Sequence, residues 1–164
     1  MPLKTDAYFK TIAERALRQT GITEPPVQVE AVAARLGIPI LSAHLPTFFH
    51  GATVNEDGLP VILLNSAFDE VSHQRTLAHL VAHVLLLLDD PSIGYPRDTV
   101  ARHHEADVVA DELIMPAWMV VEQSAKWFND YRYLARLFGV SETEMTAKMQ
   151  ALGLLKAHGI AWEY

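Results

Sequence analysis

At 164 residues, half of them hydrophobic, the chain is long enough to bury one sizeable core. Its 20 acidic against 13 basic side chains leave a formal charge of −7, which disfavours nucleic acid or an anionic membrane as the main partner and leaves a basic partner open. With no cysteine there is no disulfide framework, no thiolate metal site and no cysteine nucleophile, so any metal must sit on His, Asp or Glu.

The start, MPLKTDAYFKTIAERAL, alternates charged and apolar residues instead of showing a basic and then continuously apolar leader. The longest apolar run, Val84 to Leu88, falls far short of the roughly 20 residues a membrane span requires. A soluble cytoplasmic protein is the expectation. Tyr8, Ile12, Ala16 and Leu17 fall at helical spacing and Gly21 follows as a stop, so a first helix runs from about Thr5 to Thr20. Pro25 and Pro26 open a second segment, VQVEAVAARLG, whose Val29, Val32, Ala33 and Leu36 make one apolar face before Gly37 ends it. Both read as scaffold.

Ile38 to Ala43 is short, apolar and partly β-branched, which suits a strand. Gly51 to Asn55 and Leu59 to Asn65 suit a hairpin closed around Glu56, Asp57 and Gly58. The expectation is an α+β fold, mainly helical, with a small antiparallel sheet of about three strands. An exposed edge of such a sheet accepts an extended peptide as an added strand, but the sequence does not say which strand is the edge. His44 and His50 lie around the sheet, and as lone loop histidines they are left out of the site.

Helical pattern resumes with Asp69 and Glu70 near a helix start, where carboxylates suit the positive end of the dipole. It continues into Thr76 to Leu88, TLAHLVAHVLLLL, a stretch that is apolar apart from Thr76 and two histidines four residues apart. On a helix, residues i and i+4 stack on one face, so His79 and His83 aim at the same point. Two readings stand: a pair of metal ligands, or two core histidines bonded to nearby carbonyls or carboxylates. Asp89, Asp90 and Pro91 break the helix, and Pro91, Gly94 and Pro96 mark the segment to Asp98 as a loop.

From Ala101 to Pro116 the chain reads ARHHEADVVADELIMP, a second buried helix with apolar residues at Ala106, Val109, Ala110, Leu113 and Ile114. If His79 and His83 hold a metal, a third ligand is needed. His103 and Asp107 share a face, so His103 is favoured as that ligand and Asp107 as the carboxylate orienting a ligand histidine from behind. Glu105 is the alternative third ligand. The bland reading makes His103, His104 and Glu105 a solvated helix start.

The last third begins with Pro116 and AWMVVEQSAKWF, where Trp118, Val121 and Phe128 are expected packing anchors. DYRYLARLFGVSETEMTAKMQALGLL then reads as helix, turn, helix, with Gly139 as punctuation and Ser141 and Glu144 forming a capping box. The pattern fits a helix-turn-helix DNA reader, but Glu142 to Leu152 holds one lysine against two glutamates, a poor match to phosphate. No direct nucleic-acid contact is expected.

HLVAH is similar to the HExxH helix of zinc metallopeptidases, with Leu80 where the general-base glutamate stands. More specifically, TLAHLVAHVLLLL followed by HHEADVVADELIMP resembles the paired helices of the ImmA/IrrE family of metallopeptidases, approximately T-L-A-H-E-x-x-H and then E-x-x-A-[ND]-x-x-A-x-x-L-L-M-P. PPVQVEAVAARLGI resembles that family's second helix, GLPVILLNSA its hairpin strand, and LARLFGVSETEMTAKMQALGLL its closing helices. The likeness implies a zincin-like domain over 1–164, with a metallopeptidase-like core to about residue 115 and a helical cap from about 116. It implies Zn²⁺ on His79 and His83, with His103 where the family has a third-ligand glutamate and Asp107 matching its supporting Asp or Asn. At the catalytic glutamate it has Leu80.

Three imidazoles can hold Zn²⁺ with an open fourth position. A leucine cannot take a proton or pass one on. The favoured expectation is therefore a pseudoenzyme, a degenerate ImmA/IrrE-like homologue that binds metal and grips a protein partner, such as a helix-turn-helix repressor, in the old substrate groove. The alternatives are an active zinc-dependent peptidase that cuts such a repressor, and a three-histidine hydrolase acting on a smaller substrate.

Overall fold

The computed structural model describes residues 3–93 and 100–155. Two compact units make up the chain, one of Met1–Ile22 with Gln28–Leu113 and the other of Thr23–Val27 with Ile114–Tyr164. The architecture is α+β and mainly helical, with one small sheet.

In the first unit the chain runs α1 (Asp6–Thr20), α2 (Val29–Arg35), β1 (Ile40–Ala43), β2 (Gly51–Glu56), β3 (Leu59–Asn65), α3 (Glu70–Asp89), a single 3₁₀ turn (Pro91–Ile93) and α4 (Val100–Ile114). Helix α1 buries Ile12, Ala16 and Leu17 of the expected stripe together with Phe9 and Ala13, while Tyr8 is only half-buried, and Gly21 caps the helix. Helix α3 packs against α1, α2, β2 and β3 and so lies at the centre of the unit. Its sides are filled with buried aliphatic residues, including Leu77, Val81, Val84 and Leu86. A helix apolar nearly all round is one that is surrounded, and this one is.

The sheet has the order β1-β3-β2. Strands β2 and β3 pair antiparallel across Asp57 (φ 52°) and Gly58 (φ 84°). Both residues have the positive φ that a two-residue hairpin turn with the native twist demands, which is why Asp-Gly serves there. The Gly58 amide also donates to Asn55 Oδ1 at 2.7 Å. Strand β1 departs from the all-antiparallel expectation, because it lies parallel to β3, with Ile40 beside Ile62 and Ala43 beside Asn65. The chain reverses once between β1 and β2 and again between β2 and β3, so β3, returning into the middle, runs in the same direction as β1. Central β3 buries Val61, Ile62, Leu64 and Asn65, while β1 and β2 are the two edges.

In the second unit, α5 (Ala117–Lys126), α6 (Tyr131–Phe138) and α7 (Glu142–Ala151) follow in order, with α6 in contact with both α5 and α7. Met119, Val120, Leu134, Phe138, Met145 and Met149 are buried. Gly139 ends α6 in the left-handed conformation (φ 69°), which a residue with a Cβ adopts only at a cost. Ser141 and Glu144 form the full capping box on α7. Two of the expected anchors are overturned: Val121 is 46% exposed and Phe128 80% exposed. Helix α5 turns Met119, Val120, Gln123 and Ser124 inward, and it ends before Phe128, which sits at φ 53° outside the helical phase. Trp118 is partly buried.

The loop expected up to Asp98 falls partly on residues 94–99, outside the described residues. Among the described residues no helix is long and apolar enough to cross a membrane.

Candidate metal centre

Helix α3 supplies His79 and His83 one turn apart, and the first turns of α4 supply His103 and Asp107. The three histidines each offer a ring nitrogen, and these nitrogens all lie within 4.8 Å of one another. Nε2 of His79 and Nε2 of His83 are 3.0 Å apart. A tetrahedral ion with metal–nitrogen distances of about 2.0–2.1 Å holds its ligand atoms roughly 3.3 Å apart, so this pair stands near ligating spacing. His103 stacks over His79 with ring centroids 5.4 Å apart, and its exposure leaves it the rotamer freedom to close the remaining gap.

Behind this pair, Nδ1 of His79 lies 3.0 Å from Asp107 Oδ1. A carboxylate accepts only, so Nδ1 carries the proton and donates. In the neutral ring Nε2 then keeps its lone pair toward His83 and His103. That is the tautomer a metal ligand needs, and the carboxylate also fixes the ring's orientation. His83 is buried and His79 partly so, with 24% of its side chain exposed. The neighbours on α4 face elsewhere: Glu105 pairs with Arg102 at 3.7 Å and His104 with Asp6 at 2.9 Å. The donor set thus fits a divalent ion of zinc's preferences, with three imidazoles and a carboxylate behind one of them.

Beside the triad lies a cavity of about 340 Å³, lined by His50, Gly51, Arg75, Thr76, His79, Leu80, Asp107 and Ala110. Leu80 is 8% exposed, and its Cδ1 comes so close to Gly51 that a Cβ there would stand 2.9 Å from it. Two of the lining side chains escaped the sequence reading. His50 reaches the wall because its ring stacks on Phe68, centroids 4.0 Å apart, and because its carbonyl accepts from the Asn65 amide at 3.0 Å. Arg75 stands one residue before Thr76 on α3 and pairs with Asp111 of α4. Nothing in the local sequence distinguishes His50 from a solvated loop histidine. For Arg75 the four-residue spacing to His79 was the available signal.

A family profile for the IrrE N-terminal-like domain of the M78 peptidases matches residues 33–149, most of the chain. The chain belongs to this family. No curated protein matches it in sequence. Among solved structures, the M78 domain is similar to a Mycobacterium tuberculosis transcriptional regulator, with a TM-score of 0.63 and 19% identity over 87% of this chain. The domain spans 46% of that regulator's length, and at this identity the likeness shows the fold. In the M78 domain, α3 carries His79 and His83 and α4 carries His103, so both helices that meet at the histidine triad lie inside the matched span.

Proposed function

We propose that this M78 domain holds a divalent metal, Zn²⁺, on His79, His83 and His103, with Asp107 orienting His79, and that it grips a protein segment without cutting it. The observation that carries this reading is Leu80, a buried aliphatic side chain in the wall of the cavity where the family's proton acceptor stands. A bound divalent ion would supply Lewis acidity. Peptide hydrolysis also needs a group to take a proton from water and give it to the leaving amine, and such groups contribute about 10²–10⁴-fold. Leucine has no atom for either task.

Binding survives that loss. Edge strand β2 begins at Gly51 in the cavity wall, so an extended segment adding to this edge would run past the triad. The similarity to a transcriptional regulator supports a partner in gene regulation, and a helix-turn-helix repressor is the partner proposed here, in the cytoplasm.

One observation favours a second reading. His50 stands in the same wall, and an imidazole both takes and gives protons. A residual hydrolase, acting on the repressor or on a smaller substrate, would use it in place of the missing carboxylate.

Metal analysis of untagged wild type and of His79→Ala tests the centre, and a metal-free wild type ends both readings. Incubating wild type, Leu80→Glu and His50→Ala with the repressor separates them. Binding without cleavage by the wild type is the expected result. Cleavage by the wild type that is lost in His50→Ala establishes the second reading instead.

A further inference from the structure

We propose that the free edge of β1 takes an extended segment of a partner protein, with a lysine or arginine of that segment seated against Glu30. Strand β1 is the edge of the sheet opposite β2, so this site is separate from the cavity and independent of the metal centre.

Main-chain geometry opens the edge. The Ile62 and Ser66 amides donate to the carbonyls of Pro39 and Ala43, both at 2.9 Å. In a parallel ladder alternate residues face the partner strand, so Pro39, Leu41 and Ala43 turn their peptide groups to β3 while Ile40 and Ser42 turn theirs to the open side. Among the described residues nothing bonds those two N–H and two C=O groups. Exposed edges are commonly blunted by a lysine, a proline or a bulge, and Ile40–Ala43, in unbroken register with β3, has none of them. An extended segment can add there through its own main chain.

The groove beside the edge selects the side chain. Glu30 and Ala34 of α2, with Gly37, Ile38, Pro39 and Ile40, line an open space of about 430 Å³. Gly51 faces α3, since a Cβ on it would meet Leu80 and Thr76, and the row of Thr53, Ile62 and Ile40 lies on that same face of the sheet. A residue of the added strand opposite Ile40 therefore sends its side chain to the side where α2 and α3 pack. Exposed Glu30 accepts from Gln74 at 2.6 Å, and among the described residues no cation pairs with it. A lysine or arginine suits both parts of the groove, its stem lying on Ile38 and Pro39 and its charged head reaching Glu30. The formal charge of −7 favours a basic partner in the same sense.

Fluorescence anisotropy of a capped nine-residue peptide, alternating threonine and valine around a central lysine, tests the proposal. Saturable binding is expected, unchanged by a chelator. A glutamate at the centre is expected to weaken it about tenfold, and Glu30→Lys to reverse the order of the two peptides. Ser42→Pro removes an outward N–H at an edge position, where proline is tolerated, and is expected to weaken the lysine peptide about fivefold or more. N-methylation of alternate peptide amides is expected to do the same on the wild type, which keeps the main-chain contact testable if the proline variant does not fold. Absence of binding, equal affinity for the two peptides, an order unchanged in Glu30→Lys, or indifference to N-methylation overturns the proposal. Binding abolished by the chelator overturns it in favour of the metal centre. A dimer in sedimentation that Ser42→Pro dissociates, with no peptide bound, overturns it in favour of a second copy of this chain.

Discussion

Gly51 and Leu80 meet so closely that a methyl group on the glycine would stand 2.9 Å from the leucine's Cδ1 and 2.7 Å from the Leu63 carbonyl oxygen. The first obstacle is a flexible side chain and the second is backbone of the neighbouring strand. Gly51→Ala is therefore expected to destabilise the domain by about 1–3 kcal/mol, the usual cost of overpacking. Adding Leu80→Ala should recover only part of this, because the carbonyl remains. Denaturant midpoints of the two single variants and the double variant check it, and full recovery in the double variant would refute the account.

The bond between Asp107 and His79 sets a second expectation. Its 3.0 Å contact fixes the ring tautomer, while the carboxylate itself is 67% exposed and carries little of the core. Asp107→Ala should cost about 10–100-fold in metal affinity with almost no change in thermal midpoint. Asp111→Ala, one turn further along α4, should leave metal affinity within twofold. Competition against a chromophoric chelator gives both numbers, and equal losses in the two variants would count against an orienting role for Asp107.

How much of this was legible beforehand depended on whether the signal was local. The helical stripes of α1 and α3, the Asp-Gly hairpin and the Ser141 capping box are written into neighbouring residues, and each is found where the spacing put it. The convergence of His79, His83 and His103 rested on pairing two helices, for which the four-residue spacing of His103 and Asp107 was one signal and the family resemblance the other. The parallel placement of β1 depends on the path between strands, and no residue within Ile40–Ala43 encodes it. His50 was invisible for the same reason: its place in the cavity wall is set by Phe68 and Asn65, more than a dozen residues away.

Asn65 makes a third prediction. Fully buried at the end of β3, its Nδ2 donates to the carbonyls of Leu45, Pro46 and Phe49 at 3.0, 3.2 and 2.7 Å, and its Oδ1 accepts from the Leu45 and Ala67 amides at 3.1 Å each. One side chain thus holds the segment that carries His50 to the cavity. Asn65→Asp removes the donors and faces three carbonyls with a carboxylate, for a loss of about 3 kcal/mol or more. Limited proteolysis should show new cleavage between Leu45 and His50, and a variant as resistant as wild type would contradict the assignment.

The last prediction concerns acid stability at the end of α3, where Asp89 gathers Tyr8, Lys4 and Arg15 from around α1. Burial alone would raise the Asp89 carboxyl, but hydrogen bonds from Tyr8 and Arg15, with the charges of Lys4 and Arg15, outweigh it and hold it below the ordinary 3.8. A carboxyl depressed in the folded state contributes stability that is present above its unfolded pKa and is lost as pH falls through the folded one. Asp89→Asn should accordingly be less stable than wild type at pH 7, and the gap should narrow only once the pH drops below about 3.8. Urea midpoints of both proteins from pH 7 down to pH 2.5 test this. A gap that stays constant across that range would mean that the side chain acts there through shape and neutral hydrogen bonding, without a contribution from its charge.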